Sequence, residues 1–474
     1  MSEPTPPTAL DSFWQTSILP VLEDYIRIPN RSPAFDPDWK AQGHMDRAIR
    51  LVRDWCQTEL QDLATVEILE RDGATPLLWV ETQAHPTLVD RPPVLLYGHL
   101  DKQPEFEGWR PGLGPWTPVL QGERLYGRGG ADDGYAIFTI VAALRQLQAG
   151  GVPRPRLLTL IECSEESGSP DLAAYLDGLS DRLGVPGLIV CLDAECGNYE
   201  QLWYTTSLRG NLIAELHAET LTQGVHSGTA GGIVPSSFQV LRNLLDRIED
   251  SRNGRIRLEA FHVTIPSDRE AEIRQAARTL KHLVWERFPF AGTTSPRSTD
   301  PEEALLENTW APALEITGAE GLPSIRIGGN VLRPYTTLKL SFRLPPTLEV
   351  SRAVFALEEA MAAPAPFQAP LKLNVISAMP GWNAPATAPW LKKSLESSSR
   401  RHFGQTALAM GTGGSIPFMK MLADRYPQAQ YFVTGVLGPE SNAHGPNEFL
   451  HLPTAIRLTA CLQELLMAYA GGSR

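Results

Sequence analysis

Apolar residues recur at helical spacing over residues 10–27 and again over 39–63, which predicts two amphipathic helices near the start of the chain. The pattern then changes. Residues 94–97 form an unbroken apolar run between Pro93 and Gly98, as expected of a parallel-sheet strand buried on both faces. Residues 157–162, 188–192 and, far down the chain, 431–434 read the same way. Residues 133–148 carry Ile137, Ile140, Val141 and Leu144 and end at Gly150-Gly151, which predicts a helix with Asp133 placed to cap it. Strands alternating with helices predict an α/β domain.

From about residue 208 to 382 the texture differs. Residues 211–219, 337–344 and 371–376 alternate apolar with polar, as half-exposed strands do, while 235–250, 270–288 and 350–363 read as helices. Helices covering one face of such a sheet predict a compact α+β insert. The β/α texture resumes after Ala384. The expected division is a catalytic domain in two parts, 1–207 and 384–474, interrupted by a smaller domain over 208–383.

The candidate chemistry lies where polar residues follow the buried strands. His99 and Asp101 follow the first, Glu165 and Glu166 the second, and Asp193 the third; His444 sits in a Gly/Pro/Asn-rich loop after the fourth. Asp132-Asp133 lie in a Gly-rich turn, Gly127-Arg128-Gly129-Gly130, that leads into a helix. Ligands of parallel α/β sheets bind beyond the carboxyl ends of the strands, so this placement predicts one site. Imidazoles with carboxylates and no thiolate suit zinc, with manganese or cobalt as alternatives. Asp132, Glu166 and Asp193 bring three negative charges, a load suited to a pair of divalent ions. Asp132 is placed to bridge them, since paired metals sit roughly 3.5–4 Å apart and a carboxylate has two oxygens.

Composition narrows the function further. A net charge of −12 argues against nucleic acid, whose phosphates need clustered Lys and Arg. The opening MSEPTPPTALDSFW lacks the basic start and apolar run of a secretory leader, and no stretch is apolar enough to span a bilayer. The five cysteines (Cys56, Cys163, Cys191, Cys196, Cys461) form no CxxC pair, which predicts buried free thiols and a cytoplasmic setting.

The segments GHLD, GRGGADDG, SEESGS, LDAE, LRG, GVHSG, FRLPP, GGSIP and HGPNEF occur in this order. In this the chain resembles the aminoacylase/carboxypeptidase family of dinuclear zinc metallopeptidases, in particular its carnosinase-like cytosolic dipeptidases, over nearly its whole length. The resemblance implies metal-dependent hydrolysis of the amide bond of dipeptides or small peptides. His99, Asp132 and Asp193 would hold one zinc ion, and Asp132, Glu166 and His444 the other. Glu165 would be the general base and Asp101 would orient His99. The Asp132–Asp133 peptide would be cis. The insert would be a ferredoxin-like lid that also builds a homodimer, with His226 reaching the partner's site to stabilise the oxyanion. Asn330 and Arg343 would grip the substrate, and Gly413-Gly414-Ser415 would contact its terminal group.

Two departures bear on substrate choice and on the turn after the aspartates. Gly411-Thr412 stands where many relatives have Arg-Glu, and Gly134 stands alone where they often have Lys-Gly. An N-acyl- or N-carbamoyl-amino-acid amidohydrolase uses the same site chemistry and is the alternative. A non-catalytic binding protein would have lost a ligand or the base, and this chain retains all of them.

Overall fold

In the computed structural model, which describes residues 8–471, the apolar runs become strands of one sheet. The Pro- and Thr-rich residues 1–7, part of the leaderless reading above, lie outside the described residues. The strands are β1 (Thr65–Leu69), β2 (Leu77–Thr82), β3 (Val94–His99), β4 (Leu157–Glu162), β5 (Leu188–Cys191) and β6 (Trp203–Leu208). A second sheet contains β7 (Gly210–Glu219), β8 (Ala313–Glu320), β9 (Tyr335–Leu344) and β10 (Leu371–Met379). The chain then returns to the first sheet through β11 (Trp382–Asn383), β12 (Leu408–Thr412) and β13 (Gln430–Val433).

The first sheet runs β1-β2-β4-β3-β5-β13-β6-β11, with β12 beside β6. It is mixed rather than mainly parallel, with parallel pairing concentrated at its centre: β3 pairs in parallel with β4 and β5, and β5 with β13, while β1-β2, β2-β4, β13-β6 and β6-β11 are antiparallel. Along β3, Val94 and Leu96 face the helices Tyr135–Ala149 and Leu452–Gly471, while Leu95 and Tyr97 face Leu172–Gly178 and Pro417–Arg425. Burial on both faces is why these strands read as unbroken apolar runs; each buried Leu contributes roughly 1.5–3 kcal/mol. The helix expected over 39–63 is broken at Gly43, whose backbone is left-handed, and resumes as His44–Leu60. All five cysteines are buried and free. Among the described residues, no helix is long and apolar enough to cross a membrane.

The second sheet has the order β10-β7-β9-β8, antiparallel throughout. With the helices Ser237–Ile248 and Val350–Ala362 it follows the β-α-β-β-α-β topology of a ferredoxin-like unit. Leu212, Ala214 and Leu216 pack with Leu338, Leu340 and Phe342 beneath those helices. One expectation fails here. The helix read over 270–288 is Ser267–Leu280 followed by a short turn of helix, Leu283–Glu286, and it leaves this sheet for the first. Its Ile273, Ala276 and Leu280 pack with Trp203, Leu408 and Met410. Arg269, nearly buried, fixes the docking by donating to Asn383 Oδ1 at 2.8 Å and to the Ala384 carbonyl at 2.7 Å. Helical spacing reveals an apolar face, not the surface that will cover it.

Candidate active site

Because β3, β4, β5 and β13 run parallel, their carboxyl ends open on the same edge, with His99 in register beside Glu162. The turn carrying Asp132-Asp133 comes up against β3. A Cβ at Gly98 would lie 2.7 Å from Asp133 Oδ2 and 2.8 Å from Ala136 Cβ, so only glycine permits that approach. The Asp132–Asp133 peptide is cis, as the resemblance implies. Asp133 does not cap the following helix. Its carboxylate accepts the His99 backbone N–H at 3.3 Å instead, which leaves Asp132 directed into the pocket.

There the two oxygens of Asp132 face different imidazoles. Oδ1 lies 3.5 Å from His99 Nε2, and Oδ2 lies 2.9 Å from His444 Nε2. Asp193 Oδ2 is 3.8 Å from His99 Nε2, and Glu166 Oε2 is 3.4 Å from His444 Nε2. Candidate ligand atoms of His99, Asp132 and Glu166 lie within 4.8 Å of one another, as do those of His99, Glu165 and Asp193. The five expected ligands therefore share one pocket, with Glu165 among them.

The donor set fits divalent cations. His99 Nε2 and Glu166 Oε1 are buried without a hydrogen-bond partner, and buried polar atoms are rarely left so. Burial pushes the Glu166 carboxyl up to about 8, reinforced by the charge of Asp132, and pushes Asp193 up to about 6 against the pull of His99. Burial and Asp193 raise Glu165 well above the usual carboxylate range. His444, half-exposed at the mouth, is raised to about 10: lost solvent on its pocket side opposes protonation, and Glu166 and Asp132 outweigh that loss. Against its burial, Asp132 is held well below the usual carboxylate range by His444 and His99, while the other three carboxyls resist ionising beside it: a pocket short of positive charge.

A second cluster gathers around Arg343. Arg343 Nη1 donates to Ser415 Oγ at 3.0 Å, and that hydroxyl donates to the Arg209 carbonyl at 2.6 Å. Arg209 in turn donates from Nε to the Gly413 carbonyl at 3.1 Å and from its backbone N–H to Gly414 at 3.1 Å. Arg343 thus meets the Gly413-Gly414-Ser415 loop directly at Ser415, and Arg209, which the sequence reading did not single out, ties down Gly413 and Gly414. Among the described residues, no carboxylate pairs with either guanidinium. His226 and Asn330 lie elsewhere. Val225-His226 pairs with Val331-Leu332 in an exposed ribbon, His226 Nδ1 accepts the Gly228 N–H, and the Asn330 carbonyl accepts the Ser227 N–H. Within one chain, neither side chain is hydrogen-bonded to the pocket among the described residues.

Residues 95–468 match Peptidase family M20/M25/M40. The chain belongs to this family. It is 28% identical over 390 residues to the cysteinylglycine-S-conjugate dipeptidase of Corynebacterium striatum, covering 80% of this chain and 82% of that one. It is 26% identical over 382 residues to the Beta-Ala-His dipeptidase of Homo sapiens, covering 74% and 71%. The structure of the dipeptidase Dug1p from Saccharomyces cerevisiae superposes with a TM-score of 0.75 over 98% of each chain, at 18% identity.

In this M20 peptidase, the supports beneath the pocket are what the sequence reading missed. Asp101 was expected to orient His99. The contact to His99 Nδ1 comes from the Asp101 backbone carbonyl at 3.1 Å, with the nearer carboxylate oxygen at 3.5 Å. The carboxylate itself accepts the backbone N–H groups of Glu165 and Glu166 at 3.1 and 2.9 Å, so Asp101 ties the end of β3 to the turn after β4. Arg128 and Glu448 form a buried ion pair at 2.6 Å, and Arg128 also donates to the Gly445 carbonyl at 2.7 Å. That pair joins the turn bearing Asp132 to the loop bearing His444. Both residues stand inside the quoted motifs GRGGADDG and HGPNEF, the one signal that marked them. The Gly411 departure also has a local cause. A Cβ there would lie 2.5 Å from Ser207 Oγ and 3.1 Å from Thr309 Cβ, so this packing admits no side chain.

Proposed function

We propose that this M20 peptidase hydrolyses the amide bond of dipeptides or small peptides at a pair of divalent ions, with zinc as the native metal. His99, Asp132 and Asp193 would hold one ion, and Asp132, Glu166 and His444 the other. The observation that carries this reading is the division of the two Asp132 oxygens between His99 and His444. When bound, the ions would supply Lewis acidity that polarises the scissile carbonyl and acidifies the attacking water. Glu165 takes the proton of that water and returns it to the leaving nitrogen. Arg343, with Ser415 and the Gly414 backbone, receives the terminal carboxylate of the substrate, for which a planar guanidinium is suited.

The oxyanion donor is His226, carried into the site across a homodimer interface with Asn330 beside it. The exposure of the loops around their ribbon supports this: Ile233, Ile325 and Ile327 are 82%, 100% and 71% exposed, more apolar surface than a loop ordinarily leaves to water. The middle part, 208–383, then serves as a lid between 1–207 and 384–474. Five free thiols and an acidic surface suit a cytoplasmic enzyme that engages neither nucleic acid nor membrane. The two curated relatives, both dipeptidases by name, favour peptides over N-acyl- or N-carbamoyl-amino acids.

The test is to strip the enzyme of metal, restore zinc, manganese or cobalt, and assay dipeptides against N-acyl- and N-carbamoyl-amino acids. Metal-dependent cleavage of dipeptides is expected. Cleavage confined to acylated amino acids, or undiminished after metal removal, would contradict the reading.

A further inference from the structure

A half-enclosed cavity of about 500 Å³ lies beside the substrate cluster, within the roughly 300–1,000 Å³ typical of small-molecule sites. One side is the end of β12, Met410 to Thr412, which leads directly into Gly413-Gly414-Ser415. Another is formed by Glu195 and Gly197, just past Asp193 in the chain. Opposite stand Trp285 and Phe288, from the segment that unexpectedly packs on the first sheet. The cavity thus lies between the segment just past Asp193 and the end of β12, which leads into the loop to which Arg343 donates.

Its charges are unevenly compensated. Glu195 pairs with Arg287 at 3.1 Å, Glu307 with Arg255 at 3.2 Å and Glu315 with Arg297 at 3.8 Å. Arg209 also lines the cavity and is only 7% exposed, yet among the described residues its guanidinium donates only to carbonyls, those of Gly413, Glu307 and Ala311. Burial, reinforced by neighbouring Arg343, lowers it to about 10 against the pull of Glu195, which is itself paired with Arg287: the cation is short of counter-charge. Much of the remaining wall is apolar, with Leu280, Leu283 and Leu305 beside Trp285, and Phe288 and Phe290 expose 52% and 41% of their surface. A ligand complementary to this wall carries an anionic group at the Arg209 end and an apolar body beyond it.

We propose that this cavity is the subsite for the side chain of the C-terminal residue of a dipeptide substrate and selects a bulky apolar or aromatic one, whose carboxylate lies between Arg343 and Arg209. The proposal rests on the dipeptidase reading above and adds the class of substrate. It assigns the specificity to Trp285 and Phe288, outside the metal pocket.

The test compares kcat/KM of the zinc-loaded enzyme on two series, Ala-X and X-Ala, with X as Gly, Leu or Phe. The Ala-Phe to Ala-Gly ratio is expected to exceed unity by roughly tenfold or more, a usual yield for an apolar pocket. Trp285→Ala combined with Phe288→Ala should collapse that ratio, chiefly through KM for Ala-Phe. Ala304→Trp, which fills the cavity, should lower it by excluding the phenyl ring. A misfolded variant loses both substrates alike and leaves the ratio where it was, so the ratio separates misfolding from lost selectivity. A flat Ala-X series in an enzyme that cleaves Ala-Gly only with metal overturns the subsite and leaves the dipeptidase reading standing. So does selectivity that appears in the X-Ala series and responds there to the variants. Failure to cleave any dipeptide with metal restored overturns both.

Discussion

His99 ends β3, and Glu166 and Asp193 follow the ends of its parallel neighbours β4 and β5, whereas His226 lies on a two-residue ribbon, with Asn330 just before its second strand, in an exposed part of the chain. The first group is placed by ladder register: once β3, β4 and β5 pair, their carboxyl ends open on one edge and the functional side chains meet. The second group has no such constraint within one chain, and its apolar surroundings face water. If, as proposed, the pocket holds metal and the ribbon completes a substrate face by association, the two should respond differently to mutation. Damage to the first should appear in chemistry and folding, and damage to the second in substrate binding and subunit exchange.

The largest expected effect tests the first group. Glu165→Gln should lower kcat by about 10³-fold, within the range for loss of a general base, while metal content measured alongside stays that of the wild type. Arg128→Met leaves the Glu448 carboxylate buried without its partner, which costs about 3–5 kcal/mol in urea unfolding. A loss below about 1 kcal/mol would mean that the loop bearing His444 is held by something else.

The substrate face should yield smaller changes. Arg343→Met should raise KM by the equivalent of about 1.5–3 kcal/mol, the usual worth of a hydrogen bond to a charged group, with a lesser change in kcat. Ile325→Asp should shift the sedimentation profile from dimer toward monomer and lower activity in proportion. A monomer with full activity would remove His226 from the chemistry. The smallest change is expected at an exposed helix position outside both regions. Lys420→Ala breaks an exposed i,i+4 pair with Asp424 and should alter stability by no more than about 0.5 kcal/mol.

How much was legible in the sequence follows the same division. The central strands and the five pocket residues could be read because burial on both faces leaves an unbroken apolar run, and ligands sit at the ends of such runs. Asp101, Arg128 and Glu448 stood inside recognisable motifs, yet their roles depend on partners up to 320 positions away, and no local pattern encodes those contacts. Arg209 stood inside the LRG motif, yet nothing local showed that its surroundings would supply carbonyls. The Ser267–Leu280 helix went to the wrong sheet because amphipathic spacing gives orientation without destination. That error concealed the cavity, since Trp285 and Phe288 line it only through that helix's actual docking.

The central claim is that Asp132 joins two cations in one pocket, and metal content per chain tests it most directly. The account predicts about two zinc ions in the reconstituted enzyme and a loss of both sites' tight binding in Asp132→Ala. A wild-type chain that saturates at one ion, or an Asp132→Ala chain that still holds two, would contradict it.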